Sequence, residues 1–97
     1  MLYALICKDK AGGLPLRMET RPDHVAYLDG LNARGVLKMA GPLLDDSEQP
    51  CGSLVIVDAA NKDAAQDIAD SDPYAKAGLF ADVEIRPFRW AFNNPES

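Results

Sequence analysis

Two short runs, Leu2-Tyr3-Ala4-Leu5-Ile6-Cys7 and Leu54-Val55-Ile56-Val57, are apolar at odd and even positions alike. Each is too short for a helix and rich in strand formers, the second in β-branched residues above all, so both read as strands. Neighbouring side chains of a strand point to opposite faces of its sheet. An antiparallel sheet with one face on water alternates apolar and polar residues, and these two strands do not, so both of their faces need cover. Connecting helices supply cover for one face. A chain of 97 residues has room for one domain and little more. The second face is therefore left to another molecule, most simply a second copy. The expectation is a single domain over residues 1–97, with a tail at 90–97, working as a homodimer.

The intervening sequence supplies two helices and two further strands. After a polar loop through Gly12, Gly13 and Pro15, a helix is expected over residues 21–33. Thr20 is its N-cap with Asp23 three positions on, Pro22 sits in the first turn, and Gly35 is the C′ residue. A strand over 36–43 is stopped by Gly41-Pro42. Residues 44–51, with Asp45, Asp46, Ser47, Glu48 and Pro50, form an acidic, turn-rich loop. The strand at 53–58 leads to a helix from Asn61 to Asp70 with Ala64, Ala65 and Ile68 facing inward. Asp72-Pro73 breaks that helix, a helical turn covers 74–79, and the last strand lies within 81–89, through Asp82 to Phe88. The order β-α-β-β-α-β predicts an α+β protein with the ferredoxin-like split β-α-β fold, a four-stranded antiparallel sheet with its helices on one face.

Charge and composition remove whole classes of function. Net charge is −5, and the ten Lys and Arg residues form no basic run, which excludes phosphate-backbone binding and so nucleic acid as a partner. The apolar opening from Met1 to Cys7 is too short to cross a membrane and lacks the flanks of an export signal, so no membrane partner is expected and the location is read as cytoplasmic. With two cysteines and one histidine, ligands for a thiolate/imidazole zinc site are lacking. Cys7 reads as a small apolar strand residue, Cys51 as a loop residue, and both as free cytosolic thiols. No Gly-rich phosphate loop is present, so no cofactor is expected.

The single histidine sits where chemistry is possible. On a helical projection from His24, Leu28 lies at about 40°, Leu31 at about 340° and Arg21 at about 60°, so the ring occupies the middle of an apolar stripe turned toward the sheet. A buried ring needs a hydrogen-bond partner, since leaving it unsatisfied costs about 1–3 kcal/mol. His24 is then either a satisfied core residue or a group that exchanges protons near neutral pH. Asp72, held extended by Pro73, suits the N-cap of a turn beginning at Pro73, or equally a carboxylate that orients an imidazole. Asp70 is the competing carboxylate, read as a solvated residue at the helix end.

The residues Arg21-Pro22-Asp23-His24 with Tyr27-Leu28 and Leu31, Gly35, Ala40-Gly41-Pro42-Leu43, Gly52-Ser53-Leu54, Asp72-Pro73-Tyr74 with Gly78-Leu79, and Ile85-Arg86-Pro87-Phe88 together resemble the YciI-like (YCII-related) family. The resemblance runs from residue 1 to about residue 90. It implies a ferredoxin-like dimer with a cleft holding a histidine-aspartate pair proposed to be catalytic. Residue by residue, the pair matches His24 and Asp72.

From these residues the expected function is that of a small cofactor-free enzyme. His24 acts as general acid or base, Asp72 fixes its tautomer, Ser53 and Tyr74 offer hydroxyls to substrate, and Arg21 attracts an anionic group or serves simply as a helix-end charge. Proton abstraction, elimination or hydrolysis on a small aromatic or cyclic molecule fits this toolkit, a lyase, isomerase or hydrolase type of activity. The alternatives are a non-catalytic module whose dimer cleft holds a small ligand, and a purely structural interaction protein. Phe88, Trp90 and Phe92, at strict period two, are expected to continue the last strand on one side and to pack at or beside the subunit interface, and residues 93–97 to fray.

Overall fold

The computed structural model describes residues 1–96; Ser97, the last of the segment expected to fray, lies outside the described residues. The chain runs β1 (Leu2–Asp9), α1 (Leu14–Ala33), β2 (Leu37–Leu44), β3 (Pro50–Asp58), α2 (Lys62–Asp70), α3 (Pro73–Lys76) and β4 (Phe80–Phe88). One sheet holds all four strands in the order β2-β3-β1-β4, each antiparallel to its neighbour. β3 therefore separates β1 from β2, and β1 separates β3 from β4, which is the split β-α-β arrangement the pattern predicts.

The pleat sorts β1 into two sets. Tyr3, Leu5 and Cys7 pair with Val57, Val55 and Ser53 on β3 and with Pro87, Ile85 and Val83 on β4. This set forms the core with Ala65 and Ala69 of α2, and Leu28 of α1 packs against it. Val57 and Leu79 are fully buried, which at about 1.5–3 kcal/mol per large apolar side chain makes them principal contributors to stability. The alternate set, Leu2, Ala4 and Ile6 with Leu54 and Ile56 across from them, faces away from the helices. Leu2, Ile6 and Leu54 are only half-buried there, and Met39 is 44 % exposed.

Four expectations are corrected. α1 begins at Leu14, not at residue 21: Pro15 occupies its first turn and Pro22 lies inside it. Either proline is compatible with a first helical turn; as an internal residue Pro22 forgoes an N–H bond and crowds the Met18 carbonyl, a cost of about 3 kcal/mol that packing of α1 must offset. β2 runs through Gly41-Pro42 to Leu44, because an edge strand tolerates a proline whose absent N–H faces outward. β3 starts at Pro50, so the acidic loop shrinks to a tight turn in which the Asp45 carboxylate accepts N–H bonds from Ser47 and Gln49. The last strand ends at Phe88, and the aromatic segment after it does not extend the sheet.

That segment instead leads from the β4 edge to the opposite edge, where both Glu96 carboxylate oxygens accept from Lys38 Nζ at 3.0 Å on β2. The three rings are unequal: Phe88 is 36 % exposed and Phe92 85 %, with Trp90 half-buried. Asn93, at φ 59°, is where the backbone leaves the extended region. No described helix is long and apolar enough to cross a membrane.

Candidate functional site

Residues three and four apart on a helix share one face. On α1 that face carries Arg17, Met18, Arg21, His24, Val25 and Leu28, and it forms one wall of a cavity of about 310 Å³. The facing wall comes from β2 and β3, through Pro42, Ser53 and Val55 among others, and Tyr74 closes the end. The helix thus stands off the β2–β3 half of the sheet, whereas α2 packs directly on the core.

His24 and Asp72 meet in this wall. His24 Nδ1 lies 2.8 Å from Asp72 Oδ1 and 3.0 Å from Oδ2, with both residues buried. A carboxylate only accepts, so Nδ1 carries a proton, and in the neutral ring the lone pair is on Nε2. Nε2 has no hydrogen-bond partner, and no buried side-chain polar atom among the described residues lacks one. With His24 in the lining, Nε2 therefore opens to the cavity. Asp72 does two jobs at once: as N-cap of α3, extended at φ −62° and ψ 131°, it also accepts the Tyr74 N–H at 2.9 Å. Asp70 is bonded to Gln66 at 2.9 Å on the exposed face of α2 and plays no part here.

The Tyr74 ring stacks on His24, with centroids 3.9 Å apart and planes at 16°. The Arg17 guanidinium lies over the same tyrosine ring at 4.5 Å from its centroid. Arg17 is itself fixed: Nε and Nη2 donate to the two Asp9 oxygens at 2.7 and 3.0 Å, and Nη2 also donates to Ser53 Oγ at 2.8 Å. Burial by itself would lower the basicity of Arg17; the hydrogen bond and charge of Asp9 outweigh it and raise its pKa above the ordinary value. Burial pushes the Tyr74 hydroxyl up, with the positive charges of Arg17 and Arg21 opposing, and Asp72 adds to the rise. Burial, reinforced by Asp72, pushes the Cys7 thiol up to about 12, so it is a protonated core residue.

Of the five residues singled out from the sequence, Arg21, His24, Ser53 and Tyr74 line one cavity, and Asp72 reaches it only through its contact with His24. Ser53 Oγ accepts from Arg17, and Tyr74 meets His24 through its ring. Arg21 is exposed at the rim. Two residues escaped the sequence reading, Arg17 and Asp9. A signal for Arg17 existed, since seven positions before His24 returns to within about 20° of it on a helix.

The YCII-related domain model matches residues 1–89. Protein YciI of Escherichia coli O6:H1 and that of Shigella flexneri are each 41 % identical over 98 residues, covering 95 % of this chain and the whole of each relative. An uncharacterised protein of Haemophilus influenzae is 39 % identical over 99 residues, at the same coverage. Among solved structures, the 5-chloro-2-hydroxyhydroquinone dehydrochlorinase TftG of Burkholderia phenoliruptrix, in complex with 2,5-dihydroxybenzoquinone, is similar at a TM-score of 0.82 and 32 % identity, over 92 % of this chain and 94 % of that one.

Proposed function

This chain belongs to the YCII-related domain family, and from that premise we propose that it is a small-molecule enzyme whose His24–Asp72 pair moves a proton. The observation that carries the reading is the orientation of the pair: Nδ1 held by both carboxylate oxygens, Nε2 open to the cavity. Nε2 takes a proton from a C–H or O–H of the bound molecule. The electron pair left behind moves into the substrate, and either expels a leaving group or is reprotonated elsewhere. Asp72 fixes the tautomer and stabilises the imidazolium while it lasts, and the Tyr74 ring keeps the imidazole plane in place. The likeness to a dehydrochlorinase holding a dihydroxybenzoquinone supports a small hydroxylated ring as substrate and an elimination or isomerisation as reaction.

The test is proton exchange. In D₂O, 2,5-dihydroxybenzoquinone should lose its ring C–H signals faster in the presence of the protein, and His24→Gln should reduce that acceleration by about 10²–10⁴-fold. Asp72→Asn should also lower it. Equal exchange with wild type and His24→Gln would leave a second reading, a ligand-binding accessory module, which the capping role of Asp72 favours because it gives the carboxylate a structural reason to be there. We also read the chain as a homodimer, its half-exposed Leu2, Ile6 and Leu54 being covered by a second copy. Sedimentation returning a monomer at micromolar concentration would remove that part.

A further inference from the structure

The chain carries 15 acidic residues and a net charge of −5, yet among the described residues no carboxylate lines the cavity. Its basic lining is Arg17, Arg21 and His24, with the Tyr74 phenol beside them. Two of these are committed to partners behind the wall: Arg17 to both oxygens of Asp9, His24 to both oxygens of Asp72. Arg21, one turn from each of them along α1, forms no hydrogen bond or ion pair with any described residue. The remaining wall is largely apolar, with Val25, Leu28, Pro42 and Val55 offering flat or branched hydrocarbon surface.

A ligand entering this space covers Arg21 and strips water from its guanidinium. An apolar group over it would leave its donors unpaired, a neutral carbonyl would pair them without offsetting the charge, and a cation would meet two guanidinium groups of its own sign. A phosphate ester would set a multiply charged group against hydrocarbon for most of its surface. A singly charged oxygen acid on a flat apolar body matches both halves of the wall, and two parallel N–H bonds from a guanidinium suit a carboxylate or a pair of adjacent ring oxygens.

We propose that the cavity takes a small planar organic anion, a ring bearing an ionised hydroxyl or carboxylate that pairs with Arg21 at the rim while the ring lies between Val25, Leu28 and Val55. This deepens the proposed function by naming the substrate class, and rests on it only in taking the same cavity as the substrate site. Arg21 is then the residue that selects charge, and the His24–Asp72 pair the one that acts on what has been selected.

Calorimetric titration at pH 7.5 tests this with matched pairs of similar shape and different charge: salicylate with salicylamide, and 4-hydroxybenzoate with 4-hydroxybenzamide. Each anion should bind about tenfold tighter than its neutral partner. In Arg21→Gln the preference should fall below about threefold, and Arg21→Lys should keep part of it. Arg21 is exposed, so both variants should fold; unchanged melting temperatures check this. An equal affinity for both members of a pair, a preference that survives Arg21→Gln, or no binding of either anion would overturn the proposal. His24→Gln separates it from the catalytic reading. Anion preference kept, with no His24-dependent proton exchange in wild type, sinks catalysis alone. Exchange that depends on His24, with no preference for anions, sinks the present proposal alone.

Discussion

The two β-α-β units of this fold have the same topology and opposite characters. In the second, α2 turns Ala65 and Ala69, both nearly fully buried, onto the sheet and fills its half of the interior with hydrocarbon. In the first, α1 turns Arg17, Arg21 and His24 toward β2 and β3 and leaves a cavity. Small side chains let α2 approach the sheet closely. Long polar ones hold α1 off, and each buried polar group then needs a partner: Asp9 for Arg17, Asp72 for His24. One unit supplies stability, and the other spends some of it on a site. α3, which follows α2, links them by delivering Asp72 and Tyr74 to the α1 side.

The largest effect should come from breaking the polar half. The side chains of Asp9 and Arg17 are 4 % and 5 % exposed. Asp9→Ala strands a buried guanidinium and should cost about 3–5 kcal/mol in urea unfolding, while the double change Asp9→Leu with Arg17→Met should recover most of the loss. A single variant within about 1 kcal/mol of wild type would mean that Arg17 finds water, and that the site half is less sealed than its burial implies.

Cys7 marks the border between the units, on the central strand β1, facing Ser53 on one side and Val83 on the other. Its thiol stays protonated up to about 12 when folded, against an ordinary 9.0. The sign follows from linkage: the unfolded thiol loses its proton first, so the folded state binds more protons and loses stability as pH rises from about 9 toward 12. The span between these two values sets an upper value of about 4 kcal/mol for this group. Cys7→Ala should flatten the part of the alkaline decline that is not due to the tyrosines. A thiol reagent should label exposed Cys51 at once and Cys7 only on unfolding.

Enlarging one residue on each helix compares the two halves directly. Ala65→Leu on α2 has nowhere to go and should destabilise by about 1–3 kcal/mol, whereas Val25→Leu on α1 enlarges toward the cavity and should cost under about 1 kcal/mol while weakening ligand binding. Equal costs would contradict the picture of a tight half and an open half.

The same division decided what could be read from the sequence. α2 was legible because its cues agree: Asn61 caps it, its carboxamide oxygen accepting the Ala64 N–H, and its alanines recur at helical spacing. Gly35, with φ 74°, ends α1 where a left-handed residue was expected. The start of α1 was not legible. Gly12-Gly13 reads as loop, and Pro15 and Pro22 each satisfy the rules for a first turn; only packing chooses between them. With the first two turns went Arg17, and with Arg17 the reason for Asp9. His24 and Asp72 could be found because each is locally conspicuous, a histidine in an apolar stripe and an aspartate before a proline. Their 2.8 Å contact spans 48 positions and is a product of topology that no local pattern contains.

The smallest expected effect concerns the described ion pair that ties the C-terminal tail to β2. Residues 89–96 run from β4, in the second unit, to Lys38 on β2, in the first. The Lys38 side chain is 16 % exposed and that of Glu96 55 %, so the pair is screened on one side and should contribute about 0.2–1 kcal/mol. Thermal stability is a blunt probe of so little. The tail carries its own reporter, because Trp90 is the single tryptophan of the chain and is half-buried. Releasing the tail should expose its indole and shift its emission to the red. Glu96→Gln should produce that shift with a melting temperature lowered by only a few degrees. About 0.5 M salt, where charges are screened within a few ångströms, should reproduce it in the wild type and add nothing in the variant. If emission stays unchanged in both, Trp90 is held by its own packing, and the Lys38–Glu96 pair follows the position of the tail instead of setting it.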